Sequence, residues 1–227
     1  MSNFRRDLLN PDLKDILETF QLDKDYVHGE GTTLTDSDGN QYLDFIAQYG
    51  AVPFGYNPSF VWEALERVRK RALPSLVQPS LPGEALRLAN LLAECSPGDL
   101  CYCTFCQSGT EAVEAAIKFA RKYTGRTQII AFQGAYHGVW CGTAALTTGY
   151  NYRHGWGPLM PYVTHLPYAY CYRCPFDMTY PNCDVQCGKY VDYVLNTPYT
   201  AADDVAAVIV ESQQGEGGYV PPPPEFL

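Results

Sequence analysis

Polar and apolar residues recur along this chain with two different periods, and each change of period marks an element. Asn57, Pro58 and Ser59 offer a proline for a first helical turn and short polar side chains to cap it. Beyond them Val61, Leu65 and Val68 share one helical face, with Glu63, Glu66, Arg67 and Lys70 around the rest. A second helix is predicted over 84–95, with Leu88, Leu91, Leu92 and Cys95 as its stripe and Pro97 and Gly98 to end it. A third, over 111–123, would bury Ala112, Val113, Ala116, Ile117 and Ala120. It would turn Glu114 and Lys118 outward as an i,i+4 pair and finish near Gly125.

Other stretches lack the helical period. Residues 100–105 form a short run before the third helix, while 127–132 and 205–210 are continuously apolar, the pattern of strands covered on both faces of a parallel sheet. Strand, helix and strand in this order predict a right-handed α/β crossover. Upstream, 26–45 reads as strands and turns, with Asp38 and Gly39 as the tight turn of a β-hairpin.

Composition narrows the class. A chain of 227 residues with 46% hydrophobic side chains can build a substantial core, which excludes a disordered tail or a disulfide miniprotein. A formal charge of -9 argues against nucleic acid or an anionic membrane as the main partner. No apolar signal-peptide core follows the first residues, and no run approaches the ~20 apolar residues of a transmembrane helix, so a soluble, cytoplasmic protein is expected. The nine cysteines are clustered, and free thiols are expected in a reducing compartment.

Three places carry candidate chemistry. Ser108, Gly109, Thr110 and Glu111 stand at a strand-to-helix junction, where free N–H groups and hydroxyls suit a phosphate; an ordinary helix cap uses the same residues. Tyr136 and His137, between Gly134 and Gly138, follow the strand ending at Phe132, where an aromatic and an imidazole can meet a flat ligand. A Gly-bounded turn with a packed Tyr and a solvated His is the plainer reading. Glu211 closes the apolar run 205–210 and precedes the flexible Gln214, Gly215, Glu216, Gly217 and Gly218, which could hold a ligand or be a surface loop.

Taken in order, 31–36 with Tyr42, Leu43, Asp44 and Phe45, then 108–116, then Tyr136, His137 and Gly138, then Glu211 with 214–218, this sequence resembles the class III aminotransferases. These are pyridoxal 5'-phosphate enzymes of fold type I, among them the ornithine and 4-aminobutyrate transaminases. The resemblance runs from about residue 25 to Leu227 and implies an α/β fold. The expected architecture is a three-layer α/β/α large domain, incomplete here, with a small N-terminal α+β segment. Residues 1–55 would be the small-domain segment with its hairpin, and 56–227 the first part of the cofactor-binding domain, with a Cys-rich insertion at 168–190.

The resemblance also implies an activity: transfer of an amino group from an amine or ω-amino acid to a 2-oxo acid, by a homodimer. A lyase or racemase on the same scaffold, or an inactive or partner-completed cofactor-binding module, are the alternatives. Ser108, Gly109 and Thr110 match the phosphate-binding turn, Tyr136 the aromatic stacked on the cofactor ring, with His137 beside it, and Glu211 an acid near the cofactor. Glu216 matches the second acid of the same family run, on the substrate side, which in ω-amino acid transaminases pairs with a later arginine and swings aside for a dicarboxylate substrate.

Two departures bear on this. Ser212 replaces the proline that follows the first acid in the family, which leaves substrate choice open. The family's pyridine-nitrogen Asp, Schiff-base Lys and substrate Arg lie beyond the loop that ends at Gly218, whereas this sequence stops at Leu227. Lys14, Lys24, Lys70, Lys118, Lys122 and Lys189 stand at no buried strand end, so none is assigned as catalytic. The expectation is about the first half of an active site, completed by more chain, completed by a partner, or left inactive.

Cys171, Cys174, Cys183 and Cys187 have spacings that could close a tetrahedral zinc site; free thiols or a local disulfide are the favoured alternative, and no metal is assigned. Cys103 and Cys106 are expected to be buried. His28, His154 and His165 are expected to be solvated or hydrogen-bonded.

Overall fold

The structure is a computed structural model that describes residues 10–74, 77, 79–200 and 202–227. Two compact units emerge, Met1–Leu86 and Arg87–Leu227. The division into 1–55 and 56–227 follows motifs and not compactness, and it stands as a proposal about small and large domain.

In the first unit, α1 (Pro11–Thr19) starts at Asn10, whose side chain accepts a hydrogen bond from Leu13 N at 3.3 Å. Strands β1 (Tyr26–Glu30), β2 (Thr33–Asp36) and β3 (Gln41–Leu43) form an antiparallel sheet in that order. Thr33 pairs with Leu43 and Thr35 with Gln41, so the expected hairpin is present, with Gly39 at φ +86° in its turn. At its base the Asp36 carboxylate accepts from Asn40 N and Nδ2, Asp38 N and Tyr42 Oη. These bonds, the Asn40 side chain's foremost, hold its carboxyl down at about 2.

Helix α2 (Ser59–Lys70) forms over the predicted stripe, but Pro58 takes the cap position with no side-chain hydrogen bond. Asn57 is committed elsewhere, donating to Gly29 O at 2.7 Å and accepting from Trp62 Nε1 at 3.2 Å. Helix α3 (Gly83–Cys95) leads along the chain from one unit into the other. Neither helix buries a residue, so Leu65, Leu88 and Leu91 all remain open.

The second unit runs α4 (Gly109–Thr124), β4 (Gln128–Phe132), α5 (Thr143–Leu146), α6 (Tyr150–Arg153), β5 (Val163–Leu166), α7 (Gln186–Asn196) and β6 (Val205–Val208). Single 3-10 turns occur at Cys171–Arg173 and Pro224–Phe226. The three strands make a parallel sheet in the order β5-β4-β6, with Ile129 opposite Val163 on one side and Ala207 on the other. Every residue of β4 is buried, and alternate side chains serve opposite faces. Ile130 and Phe132 pack with Leu166, Tyr168, Val220 and Val194 of α7, whereas Ile129 and Ala131 pack with Ile117 of α4 and Ala145 and Leu146 of α5. Helix, sheet and helix give the three-layer α/β/α arrangement.

Several local expectations are corrected. Residues 100–105 take no ladder partner among the described residues and are not a strand, since an extended run becomes one only where a neighbour offers N–H and C=O groups. Ala112 and Ala116 face outward, leaving Ile117 as the residue that α4 buries. Glu114 does not pair outward with Lys118; the start of α5 lies against it. The second apolar run ends as a strand at Val208, which is open because, among the described residues, β6 is paired with β4 alone. Strand β5 was not foreseen, because Thr164 and His165 interrupt its apolar run, and α7 begins inside the segment read as an insertion.

Candidate active site

The first turn of α4 is built from its sequence. Ser108, extended at φ -152°, caps the helix by accepting from Glu111 N at 3.2 Å, and Glu111 reaches back to accept from Gln107 N at 2.7 Å. The N–H groups of Gly109 and Thr110 and the Thr110 hydroxyl have no partner among the described residues. A side chain at Gly109 would meet nothing within 4 Å. Two bare donors at the positive end of a long helix, with a hydroxyl beside them and space above, fit a phosphate.

The loop after β4 runs closely over this turn. Gly138 has φ +113°, and a Cβ there would lie 2.4 Å from Thr110 Oγ1 and 3.0 Å from Thr143 Oγ1. One turn further along α4, Glu114 accepts from Gly142 N at 3.0 Å and Thr143 N at 2.9 Å, so its carboxylate pins the far end of the same loop. Inside it, His137 N donates to Thr147 Oγ1 at 2.9 Å and the Thr147 hydroxyl donates to Gly138 O at 2.7 Å.

The segment after β6 is tied to that loop in turn. Glu211 accepts from Tyr136 N at 2.9 Å through one carboxylate oxygen and from Gly215 N at 2.9 Å through the other. Tyr168 Oη donates to Glu211 O at 3.0 Å, and the fully buried Gln214 donates to Gln133 O at 2.8 Å. Thr110, Tyr136 and Glu211, far apart in sequence, are thus brought to one place. Glu211 is held there as a brace between two loops, with both oxygens engaged.

His137 is buried, not solvated, and its Nε2 has no partner among the described residues. Burial holds its pKa below the ordinary histidine value, although the Glu211 charge opposes that shift, so the imidazole is neutral at neutral pH. Tyr136 is 38% exposed, its ring packed edge-on against Tyr152 with centroids 5.1 Å apart. Tyr152 Oη donates to Glu216 Oε1 at 3.0 Å. Glu114, Thr147, Tyr152, Tyr168 and Gln214 were not assigned to the site by sequence reasoning; of these Glu114, inside the run 108–116, and Gln214, inside the glycine-rich motif, carried a signal that could have flagged them.

Lys24, Lys118 and Lys122 are exposed, Lys14 and Lys70 face Glu18 and Glu66, and Lys189 pairs with Asp184. Cys171, Cys174, Cys183 and Cys187 line one cavity of about 20 Å³ with Met178 and Tyr180. Burial raises the Cys171 and Cys187 thiols, and among the described residues no three His, Cys, Asp or Glu side chains are grouped to hold a metal. All nine cysteines are free. Cys103 is exposed and Cys106 half-buried, contrary to expectation, because 100–105 joins no sheet. His28 is exposed, His154 stacks on Tyr150 and His165 meets Leu146 O at 3.1 Å. No helix among the described residues is long and apolar enough to cross a membrane.

Comparison with known proteins places these features in context. The family model described as Aminotransferase class-III matches residues 18–227. A diaminobutyrate--2-oxoglutarate aminotransferase of Rhizobium meliloti is 37% identical over 201 residues, covering 87% of this chain and 43% of that protein. An isoleucine 2-epimerase of Lentilactobacillus buchneri is 34% identical over 211 residues, covering 88% of this chain and 45% of that protein. The crystal structure of an (S)-enantioselective omega-transaminase from Thermomicrobium roseum superposes with a TM-score of 0.80 at 28% identity, over 96% of this chain and 52% of that one. The chain therefore spans about half the length of the relatives it matches.

Proposed function

This chain belongs to the class III aminotransferases, and from that premise we propose that the whole protein moves an amino group from an amine or ω-amino acid to a 2-oxo acid, with pyridoxal 5'-phosphate as cofactor. The observation that carries the reading is the bare first turn of α4, with Gly109 N, Thr110 N and the Thr110 hydroxyl unengaged directly against the loop that bears Tyr136 and His137. Ser108, Gly109 and Thr110 hold the phosphate, and Tyr136 covers a face of the ring. When bound, the cofactor supplies the electron-withdrawing ring that lets a proton leave the carbon bearing the amine.

The remaining residues orient and exclude. Glu211 spans the loops so that Tyr136 keeps its position, and the neutral His137 offers Nε2 to hold or pass a proton without carrying charge into the pocket. Glu216 stands on the substrate side. A homodimer in the cytoplasm is the assembly we propose. A racemase is the second reading, favoured by the match to an isoleucine 2-epimerase, because both reactions begin by moving a proton at the carbon that carries the amine.

Calorimetry separates the phosphate contact from ring stacking. Pyridoxal phosphate is expected to bind about tenfold more tightly than pyridoxal, and Thr110→Val to lower affinity for the phosphate ester alone by about tenfold. Equal affinity for the two vitamers would overturn the assignment. In the intact protein, amino transfer to a 2-oxo acid against inversion of an amino acid's configuration decides between transaminase and racemase.

A further inference from the structure

Thr110 and Glu114 stand four residues apart on α4, so they lie one above the other on a single face of the helix. Thr110 turns its hydroxyl to the proposed phosphate site, and Glu114 clamps the loop that crosses over that hydroxyl. One carboxylate oxygen, Glu114 Oε1, accepts from both Gly142 N and Thr143 N. The other takes no hydrogen bond and no cation among the described residues. Between clamp and site the loop is locked to itself. Trp140 N donates to Thr143 Oγ1 at 3.1 Å, Thr143 Oγ1 donates to Trp140 O at 3.3 Å, and Thr143 is fully buried. Gly138 passes between the Thr143 and Thr110 hydroxyls with no space for a Cβ on either side.

A chain of contacts thus runs from the Glu114 carboxylate through Thr143 and Gly138 to Thr110. We propose that Glu114 is a positioning residue: it fixes the loop 138–143 on the helix face that carries Thr110, and so keeps the Thr110 hydroxyl in the orientation that takes a phosphate ester. The clamp works through a single accepting oxygen, so a neutral acceptor of the same shape serves as well as the charge. This role deepens the proposed phosphate site and rests on it.

Calorimetry on the full chain with pyridoxal phosphate and pyridoxal tests it. Glu114→Ala is expected to cut the preference for the phosphate ester from about tenfold to about threefold while pyridoxal affinity stays unchanged. Glu114→Gln keeps the accepting oxygen and should keep the full preference. Gly142→Ala breaks the clamp from the opposite side. Gly142 has φ -78°, which alanine adopts freely, and its Cβ would lie 2.3 Å from Glu114 Oε2, so the flexible carboxylate is displaced with α4 untouched. It should match Glu114→Ala. A full preference in Glu114→Ala, equal weakening of both vitamers, or loss of the preference in Glu114→Gln overturns the positioning role. Amide hydrogen exchange separates this role from the cofactor assignment: exchange over 138–143 should accelerate about tenfold in Glu114→Ala and Gly142→Ala but not in Glu114→Gln. Equal affinity of the unmutated chain for the two vitamers overturns the phosphate site itself. Exchange unaltered in Glu114→Ala overturns the clamp, whatever the vitamers do.

Discussion

Helix α2 and strand β4 both arise from strongly apolar patterns, yet one buries none of its residues and the other buries all of them. The difference is in the neighbours. Strand β4 has a strand on either side and a helix on either face, so Ile129 and Ile130 each meet a different core. Helix α2 has a stripe of Val61, Leu65 and Val68 that stays open among the described residues. A period selects the element, while burial, worth about 1.5–3 kcal/mol for a large aliphatic side chain, needs a second surface.

Truncation is the strongest way to break this comparison. Ile130→Ala should cost about 2–5 kcal/mol in urea denaturation, since Ile130 is fully buried. Leu65→Ala, at a position 53% exposed, should cost under about 1 kcal/mol. Similar losses would mean that α2 packs in solution against something that covers its stripe.

Glycine substitution sharpens the contrast at smaller scale. Gly138 and Gly39 both have positive φ, but only Gly138 is crowded, by Thr110. Gly138→Ala should destabilise by about 2–3 kcal/mol and weaken phosphate-ester binding, whereas Gly39→Ala should cost about 1 kcal/mol and leave binding alone. Equal effects on binding would remove the loop from the site.

The smallest expected effect is a difference in pH window, read by amide hydrogen exchange. His137 and His165 have pKa values depressed by burial, so the unfolded chain takes up protons more readily than the native one. Their contribution is complete above the ordinary value of 6.5 and is lost as pH falls below it, which should accelerate exchange in β4 first. Asp36 works the same way lower down: its contribution is complete above 3.8 and is lost as pH falls toward about 2, so β2 should follow only there. Simultaneous loosening of both strands would contradict this order.

Much of the site was legible because its residues occur as local words. Ser108, Gly109 and Thr110 announce a helix start by chemistry that acts within one turn, and Asp38 with Gly39 announces a hairpin in the same way. Glu114 was misread for the complementary reason. Lys118 lies four residues away on the same helix, which made a surface pair the local answer, but the N–H groups of Gly142 and Thr143 arrive from a distant segment and take the carboxylate. The run at 100–105 failed likewise, since a strand exists only with its partner.

Order along the chain, helix periods, capping residues and the apolar character of β4 all follow from interactions between residues a few positions apart, and the amino-acid text therefore contains them. Which of those apolar faces would be covered, that Glu211 would brace two loops, that His137 would be buried with Nε2 unengaged, and that Tyr152 would meet Glu216 depend on segments separated by up to 75 residues. Contacts of that separation form only when the sheet assembles, because the entropy of closing long loops is offset by the core and not by the contacts themselves.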